Sequence, residues 1–354
     1  MIERFKTEYS IIQLVTKGDE MVSVEIGITE DIFKFSGQTK VDTWTLNEEL
    51  AVSATARYSR WLVQDIHLSM EKIRNLVNSF PFWQHRSCTG RPPADERDLM
   101  VSFLLREYFD ITFRQTQGLT ECFKKYFGIT RVPSHTLLSK KNQSKRWLLL
   151  WKRFHRFVID SLPKRKAIIA TDASGFSGRK QGWKETPHEH RAKQNWVKLH
   201  AAIEVDSFLV LNYVLTDSDV HESQVFGEVW DDIPTNVKPI RSLADAGYEW
   251  EECLQIALAH GATPIHGTKK NAVYHSNPVT AYQRLVNFTI HWPNRFQELY
   301  GKRNHAETSF SMIQSRFGYR IRCRSKIGRK NEVQSKINAH NIRMLAWRDF
   351  QWNN

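Results

Sequence analysis

The chain has 354 residues, 41% hydrophobic and 25% charged, so it is an ordinary globular composition long enough for a large core domain with accessory parts. A net charge of +13 makes a polyanion the first partner to consider, with nucleic acid weighed against a membrane surface or plain solubility. Cys88, Cys122, Cys253 and Cys323 lie far apart without a CxxC pair, which argues against a disulfide framework or a zinc site, and no apolar run approaches membrane-spanning length.

In chain order, residues 1–90 form an N-terminal region of unclear role. Val22, Val24, Ile26 and Ile28 alternate with other residues as in a strand. From Trp44 to about Phe80 the spacing turns helical, with Trp61, Ile66, Met70, Ile73 and Val77 on one face. The run SCTGRPPADERD marks a boundary, because Gly90 and Pro92-Pro93 break structure and the acids after them suit a first helical turn. An amphipathic helix is expected over roughly Asp95–Phe109, apolar through Leu99, Phe103, Leu104 and Tyr108. Helix Thr116–Phe127 follows, then the tight connection GITRVP. Ser134 is placed to cap a second, basic helix, SHTLLSKKNQSKRW. Helix, short turn and basic helix is the outline of a helix-turn-helix, and also of many helical hairpins. On this reading residues 91–160 are an α-helical DNA-binding region, closing with a helix over Trp147–Ile159.

The texture changes after Lys164. KAIIATDAS reads as a buried strand, and WVKLHAAIEVD and FLVLNYVLTD as a hairpin about Asp206-Ser207. Helix HESQVFGEVWDDI, strand PIRSLADAGY, helix WEECLQIALAHG closed by Gly261, and strand TPIHGTK follow. A long helix begins near Arg303, and residues 331–354 form a C-terminal helix. The order β-β-β-α-β-α-β-α describes a mixed α/β domain over 161–330. The stretch RFGYRIRCRSKIGRK, from Arg316, alternates basic and apolar residues and carries no acid; it reads as an extended segment with a phosphate-facing edge. His188 and His190 in TPHEH read as two histidines of a polar loop.

Chemistry concentrates at three places. Asp172 ends the first strand of this domain and Asp245 a later one, at the sheet edge where α/β domains place functional groups. Taken singly, each aspartate before a glycine-containing turn also fits turn chemistry. In YGKRNHAETSFSMIQSRFG, Tyr300, Arg303, Glu307 and Gln314 share one face if the region is a single helix. That arrangement suits a metal and a phosphate together; an intrahelical Arg–Glu pair on a solvated face is the simpler reading.

The segments ATDASGF, SLADAGYEW and YGKRNHAETSFSMIQSRFG resemble the three catalytic motifs of prokaryotic insertion-sequence DDE transposases. The last is similar to the Y-x2-R-x3-E-x6-K signature of that family. Tyr300, Arg303 and Glu307 match in place, whereas Gln314 stands where the signature has lysine, leaving the phosphate contact there uncharged. The resemblance covers about residues 165–320. It implies an RNase H-like fold, a metal site of Asp172, Asp245 and Glu307 holding two Mg²⁺ or Mn²⁺ ions, and double-stranded DNA as substrate.

Carboxylates suit such ions because hard cations prefer oxygen ligands. Two ions can activate the attacking oxygen and stabilise the leaving one in an in-line displacement. Arg303 would orient a phosphate by paired hydrogen bonds. Tyr300, Lys269, Lys270 and Arg316 are further candidates for DNA contact, each weighed against a core or solvated role. Synapsis of two DNA ends implies at least a homodimer, and the absence of a signal-like segment implies a cytoplasmic, nucleoid-associated protein. A nuclease on the same fold that cuts without joining, and a DNA-binding descendant without activity, are the alternatives at this stage.

Overall fold

The computed structural model describes residues 3–6, 11–17, 20–26, 42–83, 93–177 and 196–353, with side chains from residue 55 to residue 351. The GRPP boundary and the His188–His190 loop lie outside the described residues. The chain divides into two compact units, Met1–Lys72 with Leu345–Asn354, and Ile73–Met344.

In the first unit, β1 (Glu3–Lys6), β2 (Ile11–Lys17) and β3 (Glu20–Ile26) form an antiparallel sheet. The alternation at Val22–Ile26 is therefore that of a strand. Helix α1 (Asp42–Ser79) extends into the second unit. Trp61, Met70, Ile73 and Val77 are buried as their spacing requires, but Ile66 is exposed and Asp65 is buried instead, accepting from Ser69 Oγ at 3.0 Å. Trp61 packs edge-on to Trp347, 5.2 Å between ring centres.

The second unit begins with a helical part: α2 (Glu96–Tyr108), α3 (Phe113–Phe127), α4 (His135–Asn142) and α5 (Lys145–Asp160). Asp95 caps α2, Thr112 and Gln115 form a reciprocal capping box on α3, and Gly128 ends α3 in the left-handed conformation. Two expectations need correction. Helix α2 is not amphipathic; it is buried on all sides except at Arg97. Its charges are matched within the core: Arg106 pairs with Glu107 and, at 3.1 Å, with Glu332, while Lys336 reaches Glu107 at 3.1 Å. The basic helix after Ser134 does not run to Trp147 but stops at Asn142, because Ser144 turns the chain and caps α5.

The α/β part is a five-stranded sheet in the order β6-β5-β4-β7-β8. It is built from β4 (Arg165–Phe176), β5 (Val197–Glu204), β6 (Val210–Thr216), β7 (Val237–Ala244) and β8 (Thr263–His266). Strands β4, β5 and β6 are antiparallel neighbours, whereas β7 and β8 run parallel to β4. Helices α6 (Phe226–Asp231) and α7 (Glu251–Ala259) connect the later strands, and Gly261 closes the second with φ +80°. Then come α8 (Ala281–His291), α9 (Pro293–Tyr300), α10 (Asn304–Phe317) and α11 (Lys326–Asn353). A mixed sheet of this order flanked by helices fits an RNase H-like domain. The basic stretch from Arg316 is extended only between α10 and α11, with Ile321 N–H donating to Ser177 O; its ends are helical.

Candidate active site

The parallel ladder between β4 and β7 ends with Thr171 opposite Ala244. The next residue on each strand is an aspartate, so Asp172 and Asp245 leave adjacent strands at equivalent positions and toward the same face. Asp172 does not end its strand, as the sequence had implied. Strand β4 continues to Phe176 because β5 goes on pairing with it, Asp172 opposite Ala201, after β7 has turned away. One edge of β4 is thereby open at the aspartate. On the opposite face Thr171 accepts from the buried indole of Trp230 at 3.0 Å, anchoring the strand.

One oxygen of each aspartate is held by the backbone. Ala173 N–H donates to Asp172 Oδ1 and Gly247 N–H to Asp245 Oδ1, both at 2.8 Å. Burial pushes the Asp172 carboxyl up to about 6; the Ala173 bond and Arg303 oppose this, while Asp245 and Glu222 add to it. Behind Asp245 the turn is fixed by His266, which bridges Ser242 Oγ (2.8 Å) and the Tyr248 carbonyl (2.9 Å). Burial drives the pKa of that histidine down to about 4, so it acts as a neutral brace.

The segment carrying Tyr300, Arg303 and Glu307 is not one helix. Helix α9 ends at Tyr300, a 3-10 turn spans Gly301–Arg303, and α10 starts at Asn304. Tyr300 still lies beside Arg303, whose guanidinium is 5.9 Å from its ring centre. Its ring stacks on Phe296, and its hydroxyl reaches Gly267, beside the backbone of Asp245 and Ala246. Arg303 stays at the centre: its guanidinium lies 3.7 Å from Asp172 Oδ2 and donates to Glu307 Oε1 at 2.6 Å. Its Nε is buried without a hydrogen-bond partner among the described residues. Gln314, two turns beyond Glu307, donates to Ser174 Oγ at 2.9 Å. Asp172 and Ser174 share a face of β4, so α10 lies along the face that carries the aspartates.

A cavity of about 450 Å³ opens there, lined by Asp172, Ser174, Glu307, Gln314 and Tyr319 among others. The structure thus brings together Asp172, Arg303, Glu307 and Gln314, with Asp245 and Tyr300 adjoining. Among the described residues, no three His, Cys, Asp or Glu side chains stand close enough to hold a metal ion together. The donor set nevertheless fits a hard divalent cation. It consists of carboxylates, and Asp245 and Glu222 both act against the charge of Asp172. The other candidates lie apart from the cavity. Lys269 pairs with Glu249 at 2.5 Å, Lys270 is exposed, and Arg316 stacks over the Tyr108 ring at 4.6 Å.

Sequence reasoning missed Glu222, Tyr248, Ser174 and Gly267. Glu222 and Tyr248 carry no spacing signal. The glycine after the β8 strand was a visible cue to close packing. A Cβ at Gly267 would lie 2.8 Å from the Tyr300 hydroxyl and 2.9 Å from Ala246 N. Gly267→Ala is therefore expected to displace Asp245 or Tyr300, costing about 1–3 kcal/mol of stability and roughly tenfold in DNA cleavage. Unfolding midpoints and cleavage rates of the variant check this; values equal to wild type would show that the contact yields freely.

Residues 163–342 match the family model described as the transposase DDE domain. The match spans half of the chain and contains Asp172, Asp245 and Glu307, in the order and setting just described. The chain belongs to the family of DDE transposases.

Proposed function

We propose that this protein is an insertion-sequence transposase of the Y-R-E-K type that cuts element ends and joins them to target DNA. Asp172, Asp245 and Glu307 would hold two divalent ions, Mg²⁺ or Mn²⁺. The observation that carries this reading is the geometry of the three acids. Two aspartates leave adjacent parallel strands at one register, and Arg303 ties the first to Glu307 across the cavity. Members of the family use divalent metal ions, which activate the attacking oxygen and stabilise the leaving one.

The residues of the chain do the rest. The amides of Ala173 and Gly247 fix one oxygen of each aspartate and leave the other for ligation. Arg303, with an unused Nε–H, is poised to turn its guanidinium from Glu307 to a phosphate. Water attacks first and frees a 3′-hydroxyl, which then attacks target DNA. Tyr300, beside Arg303, would contact DNA near the cavity, and Lys269 and Lys270, which lie apart from it, would contact the flanking duplex. Helices α3 and α4 border a second cavity of about 900 Å³, lined by Arg114, His135, Lys140 and Gln143, which suits recognition of the element ends. Two ends must be held at once, so the working form is at least a homodimer, acting on the nucleoid.

A strand-transfer assay with terminal inverted repeats and Mg²⁺ tests the proposal. Cutting without joining would identify a nuclease, and end binding without cutting an inactive descendant.

Gln314 allows a finer test. Its amide donates to Ser174 near the metal site but adds no charge. A lysine there could donate to the same hydroxyl or to a phosphate. Hydrogen bonds to charged groups contribute roughly 1.5–3 kcal/mol against about 1 for neutral pairs. Gln314→Lys is expected to raise cleavage or strand transfer up to about tenfold and to steepen its salt dependence. Unchanged rate and salt slope would mean that position 314 does not meet the DNA.

A further inference from the structure

A fourth carboxylate stands at this site. Glu222 belongs to a 3-10 turn, Glu222–Val225, before α6. A Cβ placed at Gly247 would lie 2.9 Å from Asp245 Oδ1 and 3.4 Å from Glu222 Oε2, so the two oxygens look onto the same small volume. Only glycine leaves that volume open. The other Glu222 oxygen, Oε1, lies 3.1 Å from Lys198 Nζ, and this lysine also donates to Val220 O at 3.1 Å. Both side chains are largely withdrawn from solvent, where an ion pair is held more firmly than on an open surface.

A second group points to the same place. The Tyr248 side chain is 1% exposed, and its hydroxyl has no hydrogen-bond partner among the described residues. Burial pushes its pKa well up, and Glu222, Asp172 and Asp245 push in the same direction, so the phenol stays protonated. A buried O–H without a partner has lost its water and gained nothing in exchange. A water on a cation among these carboxylates would supply the missing partner.

We infer that Glu222, paired with Lys198 through one oxygen, is a fourth carboxylate of the metal site and offers its other oxygen to a divalent cation beside Asp245. The inference rests on the proposed metal site. Asp245 has one oxygen engaged by Gly247 N–H, and Glu307 lies across the cavity with 59% of its side chain exposed. A second acid on the Asp245 side balances that asymmetry. Lys198 then acts as a positioning residue: it holds Glu222 and competes with the cation for it.

The test is Mn²⁺ binding to the full-length protein without DNA, measured by calorimetry and by loss of the free-ion electron paramagnetic resonance signal. Asp172→Asn serves as the control for the site itself. Glu222→Gln, which keeps shape and removes charge, is expected to weaken Mn²⁺ binding about tenfold or more, on the scale of lost metal-site partners. Lys198→Met is expected to tighten it about threefold by removing the competitor, an effect that a structural ion pair would not produce. If Asp172→Asn weakens binding while Glu222→Gln and Lys198→Met do not change it, the inference fails and the metal site stands. If Asp172→Asn has no effect, the metal site itself is misplaced. Thermal unfolding without metal identifies any variant that fails to fold, and should Glu222→Gln do so, the response of Lys198→Met decides alone.

Discussion

Asp172→Asn and Asp245→Asn are each expected to lower DNA cleavage by at least about 10³-fold, roughly 4 kcal/mol of barrier, while binding to DNA ends survives. Both effects follow from what the substitution keeps and removes. An asparagine Oδ1 can still accept from Ala173 N–H or Gly247 N–H, so the local turn is preserved. What is lost is the negative charge on an atom that must bind a hard cation. Asp172 is the more sensitive of the two to its surroundings, since it is buried beside both Asp245 and Arg303. Cleavage of a labelled end duplex, with a parallel gel-shift measurement, separates the two quantities. A variant that cuts at the wild-type rate would remove that aspartate from the active site.

The largest effect on stability is expected at Arg106→Met. Arg106, Glu107, Glu332 and Lys336 are nearly fully buried and join α2 to α11. Burial opposes the charge on Arg106, yet Glu107 and Glu332 hold its pKa above the usual value. Removing it leaves two buried carboxylates with one lysine. Lys336 stays paired with Glu107, while Glu332 keeps the amides of Arg322 and Cys323 at 3.0 and 2.9 Å. The Phe113 ring also loses the guanidinium stacked 4.4 Å above it. Breaking such a buried network costs about 3–5 kcal/mol. By contrast Arg295→Ala, which removes an exposed pair with Glu298, should change stability by less than about 0.5 kcal/mol. Denaturant unfolding followed by tryptophan fluorescence compares the two. Equal midpoints would show that the buried network contributes nothing.

These predictions draw on two kinds of information. The strands, the hairpin at Asp206-Ser207 and the Gly261 helix stop were legible because they depend on local rules: apolar runs, turn residues and left-handed glycine. The three catalytic segments were legible as motifs, and Asp172, Arg303 and Glu307 do meet. Where local pattern and long-range packing conflict, the sequence was misleading. Helix α2 looked amphipathic because Leu99, Phe103, Leu104 and Tyr108 recur at helical spacing, yet the partners that allow Arg106 and Glu107 to be buried are more than 200 residues away in α11. The segment from Tyr300 to Gln314 read as one helix, whereas a 3-10 turn at Gly301–Arg303 divides it.

What the sequence by itself determined is the family and the order of the strands in the α/β part, because each is written in contiguous residues. Tertiary structure alone decided that Glu222 approaches Asp245 at Gly247, that Gln314 rests on Ser174, and that Arg316 is turned toward Tyr108. Those relations join distant segments, and their geometry is set by strand register and helix packing rather than by any local spacing.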